Sequence, residues 1–474
     1  MFVGREKELN MLEEAYNSKK SELVAIYGRR RIGKSALIKI FSDKKTSCIH
    51  FEGLEGVKTI GQIEHFKGTL SVETNDSFVN KVQFDSWQEV FLFFTEKFIE
   101  KRESKKKLII SFDEIQWMAV QNGRFISIIK YFWDKYWKHN NVMLILCGSI
   151  ASFMINKVLK SKALYGRISL EILLRGLSPG EAVFFFESKR GNEEILKYLM
   201  VFGGVPKYFE EIQLNKSFYQ NINRLCFLES GLMTTEIERM FYSQFREART
   251  YLKIVRLIKE GLFSLKEIGD KIGVSSGGSL LSYLKNLENA DIIQLYIPFN
   301  KDLNTKIKKY TLSDEFLRFY FKFIEPNLKI IQSNKSSNLF ETICEKQFTI
   351  WSGFTFEKFC IKNSFLLAEL MGFGEKIISA SPYFGKNDSK FQIDLLFLRS
   401  DKVITLCEIK YRQSTINTKI IPEVERKLDL LKVPRGYTVE KALISLYGSD
   451  QSLKDSEYFH HEVTLDQILV RPCK

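Results

Sequence analysis

Histidine and cysteine are scarce and scattered in this chain, and their scarcity removes several classes of protein at once. Five histidines and seven cysteines in 474 residues form no CxxC pair and no close Cys/His grouping. Neither a zinc site nor a disulfide framework is expected, and the thiols are expected to be reduced. Long apolar runs are missing as well. The longest, Val142 to Ile155, is shorter than the roughly 20 residues a bilayer-spanning helix needs and is broken by Gly148 and Ser149. With a polar Gly-Arg-Glu stretch near Met1, a cytoplasmic protein with no membrane segment is expected. There is no internal repeat and no extended low-complexity segment; Gln332 to Asn338 alone is polar enough to read as a short linker.

Apolar residues and positive charge are abundant. A 45% hydrophobic chain of this length has material for two or three cores, so it is expected to be multidomain. Lys plus Arg number 71 against 57 acids, a formal net charge of +14, which favours a polyanionic partner. DNA is the leading expectation, with a merely basic surface as the alternative.

The most informative stretch is Gly28-Arg29-Arg30-Arg31-Ile32-Gly33-Lys34-Ser35, which meets the GxxxxGK[ST] pattern at every fixed position. The apolar run Leu23 to Tyr27 precedes it and Ala36 to Phe41 follows with helical spacing, so the glycines fall where a buried strand turns into a helix. Backbone N–H groups of such a loop wrap phosphates, and the helix N-terminus adds partial positive charge. Lys34 reaches the terminal phosphates and the Ser35 hydroxyl is placed for magnesium. The expected nucleotide contacts therefore run from Gly28 through Ala36. A second stretch supports the first. Leu108 to Phe112 is an apolar strand ending in Asp113 and Glu114. Asp113 suits the magnesium shell, and Glu114 suits orienting and deprotonating an attacking water, so the pair argues for ATP hydrolysis.

The Val3-Gly4-Arg5-Glu6 box followed by Tyr27 to Ser35 resembles the archaeal-type ATPases of the STAND and AAA+ group. That resemblance implies that Val3, Gly4 and Arg5 lie against the adenine. It implies further that Ser149, after the strand Val142 to Cys147, senses the terminal phosphate, with an ordinary strand-end turn as the alternative. Arg167 in Leu164-Tyr165-Gly166-Arg167 becomes an arginine finger, or else a surface arginine. Acting in trans, it would require a homo-oligomer. Gly203-Gly204-Val205-Pro206 resembles the STAND element whose proline packs on the adenine, which makes Pro206 a base contact or, more simply, a helix boundary.

Three helical stripes follow, at Ile254 to Ile258, Leu265 to Ile272 and Leu280 to Leu287, with the turn Gly273-Val274-Ser275 between the second and third. With strands at Ile292 to Ile297 and Lys306 to Leu312, they predict a winged helix. In a DNA-binding reading, the third helix presents Ser276, Ser279, Ser282, Lys285 and Asn286. Lys301, Lys306, Lys308 and Lys309 then meet phosphates. In the alternative, the element only packs within the chain.

The aromatic run Asp314 to Phe321 looks like the start of the uncharacterised domain that commonly follows these ATPases. Beyond it, a helix Phe354 to Leu370 carries Glu357, a strand Phe391 to Leu398 carries Asp394, and a strand Val403 to Tyr411 carries Glu408 and Lys410. Side chains two apart on a strand share a face, and a hairpin turning at Asp401 sets Asp394 opposite Glu408. Two carboxylates and a lysine then converge, as metal-dependent phosphodiester cleavage requires. The order resembles the PD-(D/E)xK nucleases, with Ile393 where their name has proline. The resemblance makes Glu357, Asp394 and Glu408 metal ligands and Lys410 catalytic. An amphipathic helix Ile421 to Leu431 and a strand Ala442 to Leu446 complete it.

The expected architecture is α/β and multidomain. A phosphate-loop ATPase core over 1–175, a parallel sheet with helices on both faces, leads to a helical lid (176–245) and a winged helix (246–313). An aromatic connector (314–345) and a restriction-endonuclease-like α/β domain (346–474) complete it. The expected function is an ATPase, with ATP and Mg2+ as cofactors, that controls a metal-dependent DNA endonuclease-like domain. The alternative is a non-cleaving, ATP-switched ATPase that binds DNA or protein.

Overall fold

The computed structural model describes residues 2–45, 47–102, 106–119, 123–259, 261–274, 277–299, 308–333, 336–384 and 391–471. The chain divides into two compact units, Phe2–Leu177 and Ser178–Cys473.

The first unit is built on five strands: β1 (Glu22–Tyr27), β2 (Cys48–Glu52), β3 (Leu108–Asp113), β4 (Val142–Gly148) and β5 (Leu170–Leu173). They pair in parallel in the order β2-β3-β4-β1-β5. β1 and β4 are buried at every position, which their unbroken Leu/Val/Ile runs permit because helices cover both faces. One face packs on Leu12, Leu37, Ile38 and Phe41. The other packs on an aromatic block including Phe51, Phe66, Trp87, Phe91, Phe94, Phe112 and Trp137, with Phe51 and Phe66 stacked 3.7 Å between centroids. This parallel, helix-covered sheet is the α/β core expected of the N-terminal part.

The second unit begins with the segment expected as a lid, a series of helices from Pro179–Ala182 to Glu236–Gln244. The helices Ala248–Ile258, Leu265–Ile272 and Gly278–Asn289 follow. A small antiparallel sheet accompanies them: β6 (Phe263–Ser264), β7 (Ile293–Tyr296) and β8 (Lys309–Leu312), in the order β6-β8-β7. The return strand is shorter than expected, and Ser275, Ser276, Lys301 and Lys306 lie outside the described residues.

The connector is not a loose link. Phe316, Phe319 and Phe323 are buried, and Phe319 and Phe323 form a ring cluster with Phe340, Phe348 and Trp351, with centroids 5.1 to 6.4 Å apart. The helix expected from Phe354 starts much earlier, spanning Leu339–Lys362, and so crosses the boundary drawn at 345. It stops at Asn363, whose side-chain amide bonds back to the Phe359 carbonyl at 2.8 Å, before a second helix Ser364–Leu370.

The C-terminal sheet holds β9 (Ile377–Phe384), β10 (Gln392–Arg399), β11 (Val403–Lys410), β12 (Thr438–Ser445) and β13 (His461–Thr464), in the order β13-β12-β11-β10-β9. β9, β10 and β11 run antiparallel in sequence. β12 is parallel to β11, reached through the helix Ile421–Leu430. The six described cysteines are all unpaired. Among the described residues, no helix is long and apolar enough to cross a membrane.

Candidate functional site

In the first unit, the loop between β1 and the helix Lys34–Ser42 needs backbone that only certain residues tolerate. Gly28 has φ 153°, and a Cβ there would run into the Leu174 carbonyl and lie 2.6 Å from the Ile32 side chain. Arg31 and Gly33 are also left-handed, at φ 71° and 89°. The Lys34 ammonium is buried against the loop, donating to the carbonyls of Gly28 at 3.1 Å and Arg29 at 2.9 Å. Ser35 and Ala36 are exposed at the start of the helix.

The two acids of β3 take separate partners. The Ser35 hydroxyl donates to the Asp113 carboxylate, joining the helix start to the strand end. Glu114 turns away in a left-handed conformation, φ 47°, with its N–H on Asp113 at 2.8 Å. Its carboxylate accepts from the Ser149 hydroxyl at 2.6 Å and from the Gln116 amide. Gln116 is fully buried and also reaches Ser149 at 3.3 Å, so acid, sensor candidate and amide form one triangle. Sequence reasoning passed over Gln116. Its position three residues beyond Asp113 was the available signal, and nothing local marked the side chain as turned inward.

The remaining candidates are placed as follows. Gly4 and Arg5 are left-handed, at φ 64° and 70°. The buried Arg5 guanidinium donates to Arg175 O at 2.7 Å and to Ile32 O at 3.1 Å, tying the N-terminal box that begins at Val3 to the phosphate loop. Arg30 pairs with Glu55 at 3.3 Å. Arg167 forks onto Asp134 through two bonds of 2.8 Å. That pairing, followed by the bond from Lys130, holds the Asp134 carboxyl down at about 2, against its burial. Pro206 belongs to the second unit and opens the short helix Pro206–Phe209. The preceding Gly203, φ 61°, has a packing reason of its own: a Cβ there would lie 2.6 Å from the Glu315 carboxylate.

In the C-terminal sheet, the register pairs Leu395 with Cys407, so the next position sets Asp394 against Glu408 across the hairpin centred on Asp401. Asp394 is 8% exposed and accepts the Ile409 N–H at 3.1 Å; Glu408 is 0% exposed. Lys410 reaches Glu408 at 2.7 Å and Glu423 at 3.2 Å. A residue not foreseen completes the group. Lys427, from the helix Ile421–Leu430, lies 2.6 Å from the other Glu408 oxygen and 3.6 Å from Glu423, its i−4 neighbour. That spacing was the one hint in the sequence. Burial and then the Glu408 charge push Asp394 up to about 6, and burial and then the Asp394 charge push Glu357 up to about 7.

Glu408 and Glu423 thus face Lys410 and Lys427, with Asp394 and Glu357 in electrostatic range. The hard oxygen donors suit a divalent cation. The Glu408 oxygens, however, are taken by lysines, and among the described residues no three His, Cys, Asp or Glu side chains close on one point as metal ligands.

In the three-helix segment, Ser279, Ser282 and Lys285 are exposed on the third helix, while the Asn286 amide is spent on the Tyr251 hydroxyl at 2.8 Å. Lys308 and Lys309 are half-buried at the start of β8.

A parallel sheet with a glycine loop feeding a helix, and a Ser/Asp pair at its strand ends, defines a phosphate-loop ATPase unit. Residues 2–212 match the model of an ATPase domain found predominantly in Archaea. Residues 320–421 match a family of archaeal and bacterial proteins of unknown function. An uncharacterized protein of Methanocaldococcus jannaschii is 29% identical over 415 residues, 87% of this chain and 88% of that relative. An uncharacterized ATP-binding protein of the same organism is 51% identical over 45 residues, 10% of this chain and 76% of that relative. In fold, the chain is similar to a Walker-type ATPase of Pyrococcus abyssi, with a TM-score of 0.51 at 21% identity, over 68% of this chain and 96% of that one.

Proposed function

We propose that the chain binds and hydrolyses ATP in its first unit and uses the nucleotide state to control a metal-dependent DNA endonuclease-like domain in its second. The observation that carries the ATPase reading is the division of labour at the end of β3: Asp113 on Ser35, Glu114 on Ser149. Loop N–H groups from Gly28 to Ser35 cradle the phosphates, and Lys34 exchanges its carbonyl partners for phosphate oxygens. Ser35 and Asp113 would hold magnesium, which when bound neutralises phosphate charge. Glu114, already angled away from Asp113, orients and deprotonates the attacking water, while Ser149 and Gln116 fix the carboxylate. Val3 to Arg5 serve the adenine. Arg167 stabilises charge on the transferred group, in trans within a homo-oligomer, once Asp134 releases it.

For the second unit, the reading rests on Asp394, Glu408 and Lys410 converging across β10 and β11, with Glu357 in electrostatic range. Glu357, Asp394 and Glu408 would hold a divalent cation only by drawing closer together and displacing the lysine contacts on Glu408; when bound, it would supply an activated water. Lys410 positions the nucleophile, and the winged-helix-like segment with its lysines contacts DNA phosphates. The non-cleaving reading draws on one observation, the double lysine contact that ties up Glu408.

Nicking of supercoiled plasmid with magnesium or manganese, with and without ATP, separates the two. Cleavage lost in Asp394→Ala and Lys410→Ala, and altered by ATP, is the expected result. No cleavage by the unmodified protein under any condition would leave an ATP-switched binding protein. Equal cleavage with ATP, ADP and no nucleotide would remove the coupling.

A further inference from the structure

A cavity of about 920 Å³ lies within the second unit among β7, β9 and the helix Leu339–Lys362, with Tyr296, Phe299, Lys358, Ile361, Ile378 and Ser381 among its walls. Its size falls in the range of small-molecule sites. Two polar groups at its walls are left without partners. Lys358 has no carboxylate within ion-pair reach among the described residues, whereas Lys362, one turn further along the same helix, holds Glu315 at 2.9 Å and Asp291 at 3.6 Å. Ser381, a wall residue on β9, is 8% exposed and its hydroxyl makes no hydrogen bond. Lys358 is half-buried and Ser381 buried; an unsatisfied buried hydroxyl is costly, and such groups concentrate where a ligand completes them.

We propose that this cavity binds an amphipathic organic monoanion, its acidic head on Lys358 and Ser381 and its apolar body along Phe299, Ile361 and Ile378. One unpaired ammonium calls for one negative charge, and the apolar walls call for a hydrocarbon body. The bound molecule would touch the helix that carries Glu357 one residue before Lys358, and the strand β9 paired with the Asp394 strand. Binding itself does not depend on nuclease activity.

The test is calorimetric titration of the full-length protein with decanoate, decyl phosphate and decanol below their micelle concentrations. We expect saturable binding of one anion per chain, at least tenfold tighter than decanol. The Lys358→Met variant should bind that anion at least tenfold more weakly and Ser381→Ala severalfold more weakly. Preference between decanoate and decyl phosphate identifies the head group. Lys358→Met without ligand should melt no lower than the unmodified protein, because it removes an uncompensated cation. Decanol binding as tightly as the anions, unchanged affinity in Lys358→Met, or no saturable binding would each overturn the proposal. The comparison of anion with alcohol needs no variant, so a folding defect cannot shelter it.

Discussion

Replacing Lys427 by methionine removes one of the two cations on a carboxylate that is completely buried. The Lys427 ammonium sits 2.6 Å from Glu408, while Lys410 holds the other oxygen at 2.7 Å, so Lys427→Met leaves Glu408 with half its compensation. Breaking a buried pair from one side costs about 3–5 kcal/mol, and the remaining lysine places this case at the lower end, about 3 kcal/mol. Glu408→Gln should cost about 2 kcal/mol, because Lys410 and Lys427 retain Glu423. The double variant should cost only about 1–2 kcal/mol, since a neutral pair replaces an ionic one, giving a coupling of roughly 3 kcal/mol. In a chain of two units a single unfolding free energy is ill defined, so hydrogen exchange of the β11 amides is the suitable assay. A loss of about 3 kcal/mol corresponds to exchange roughly a hundredfold faster. If Lys427→Met speeds β11 exchange less than about threefold, or the two substitutions simply add, the two lysines do not hold the buried Glu408 as described.

Three further outcomes are expected. Glu114→Gln should lower ATP turnover by about 10²-fold or more while leaving nucleotide affinity within a few fold, read by phosphate release and by titration with a fluorescent ATP analogue; unchanged turnover would remove Glu114 from the chemistry. Gly28→Ala forces a methyl onto the Leu174 carbonyl and should weaken binding of that analogue at least tenfold, with the second unit's exchange pattern unchanged. The raised Asp394 carboxyl gives a pH dependence of definite sign. The unfolded chain loses that proton near pH 4 and the folded chain near pH 6, so the folded state binds more protons in between. Stability of the C-terminal sheet therefore falls by about 3 kcal/mol as pH rises from about 4 to 6, and is flat above that for this group. Glu357 extends the fall toward pH 7. Calorimetric melting across this range checks it, and Asp394→Asn should reduce the fall between pH 4 and 6, leaving the part due to Glu357; a slope unchanged in Asp394→Asn would assign it elsewhere.

What could be read from the sequence was whatever depended on neighbours in the chain. The phosphate loop was legible because glycine spacing, strand and helix all lie within about 20 residues and each requirement is local. The facing of Asp394 and Glu408 was legible because hairpin geometry is symmetric about its turn, here Asp401, and the observed register keeps that symmetry. The early start of the helix Leu339–Lys362 was hidden for the opposite reason. Its buried Phe340 and Phe348 pack against rings from Phe218 and Phe319, contacts with residues distant in the chain.

Charge compensation was the least legible feature, and the physical reason bears on function. A carboxylate on a strand says what a site needs, while the cation that answers it arrives from any element the fold brings near. Lys427 answers Glu408 from a helix 19 residues on, and Asp134 answers Arg167 from 33 residues back. Both partners hold groups that the proposed chemistry must use. Arg167 keeps Nε and Nη2 on Asp134 and Nη1 on the Tyr165 carbonyl, and each Glu408 oxygen lies against a lysine, so each contact restrains a group that the proposed chemistry would use, and each is removable. Asp134→Asn weakens the fork without touching Arg167, so in an oligomer-dependent ATPase it should raise turnover severalfold where Arg167→Ala lowers it. If Asp134→Asn lowers turnover as Arg167→Ala does, the pair is part of the folded scaffold, and the arginine finger must be sought elsewhere.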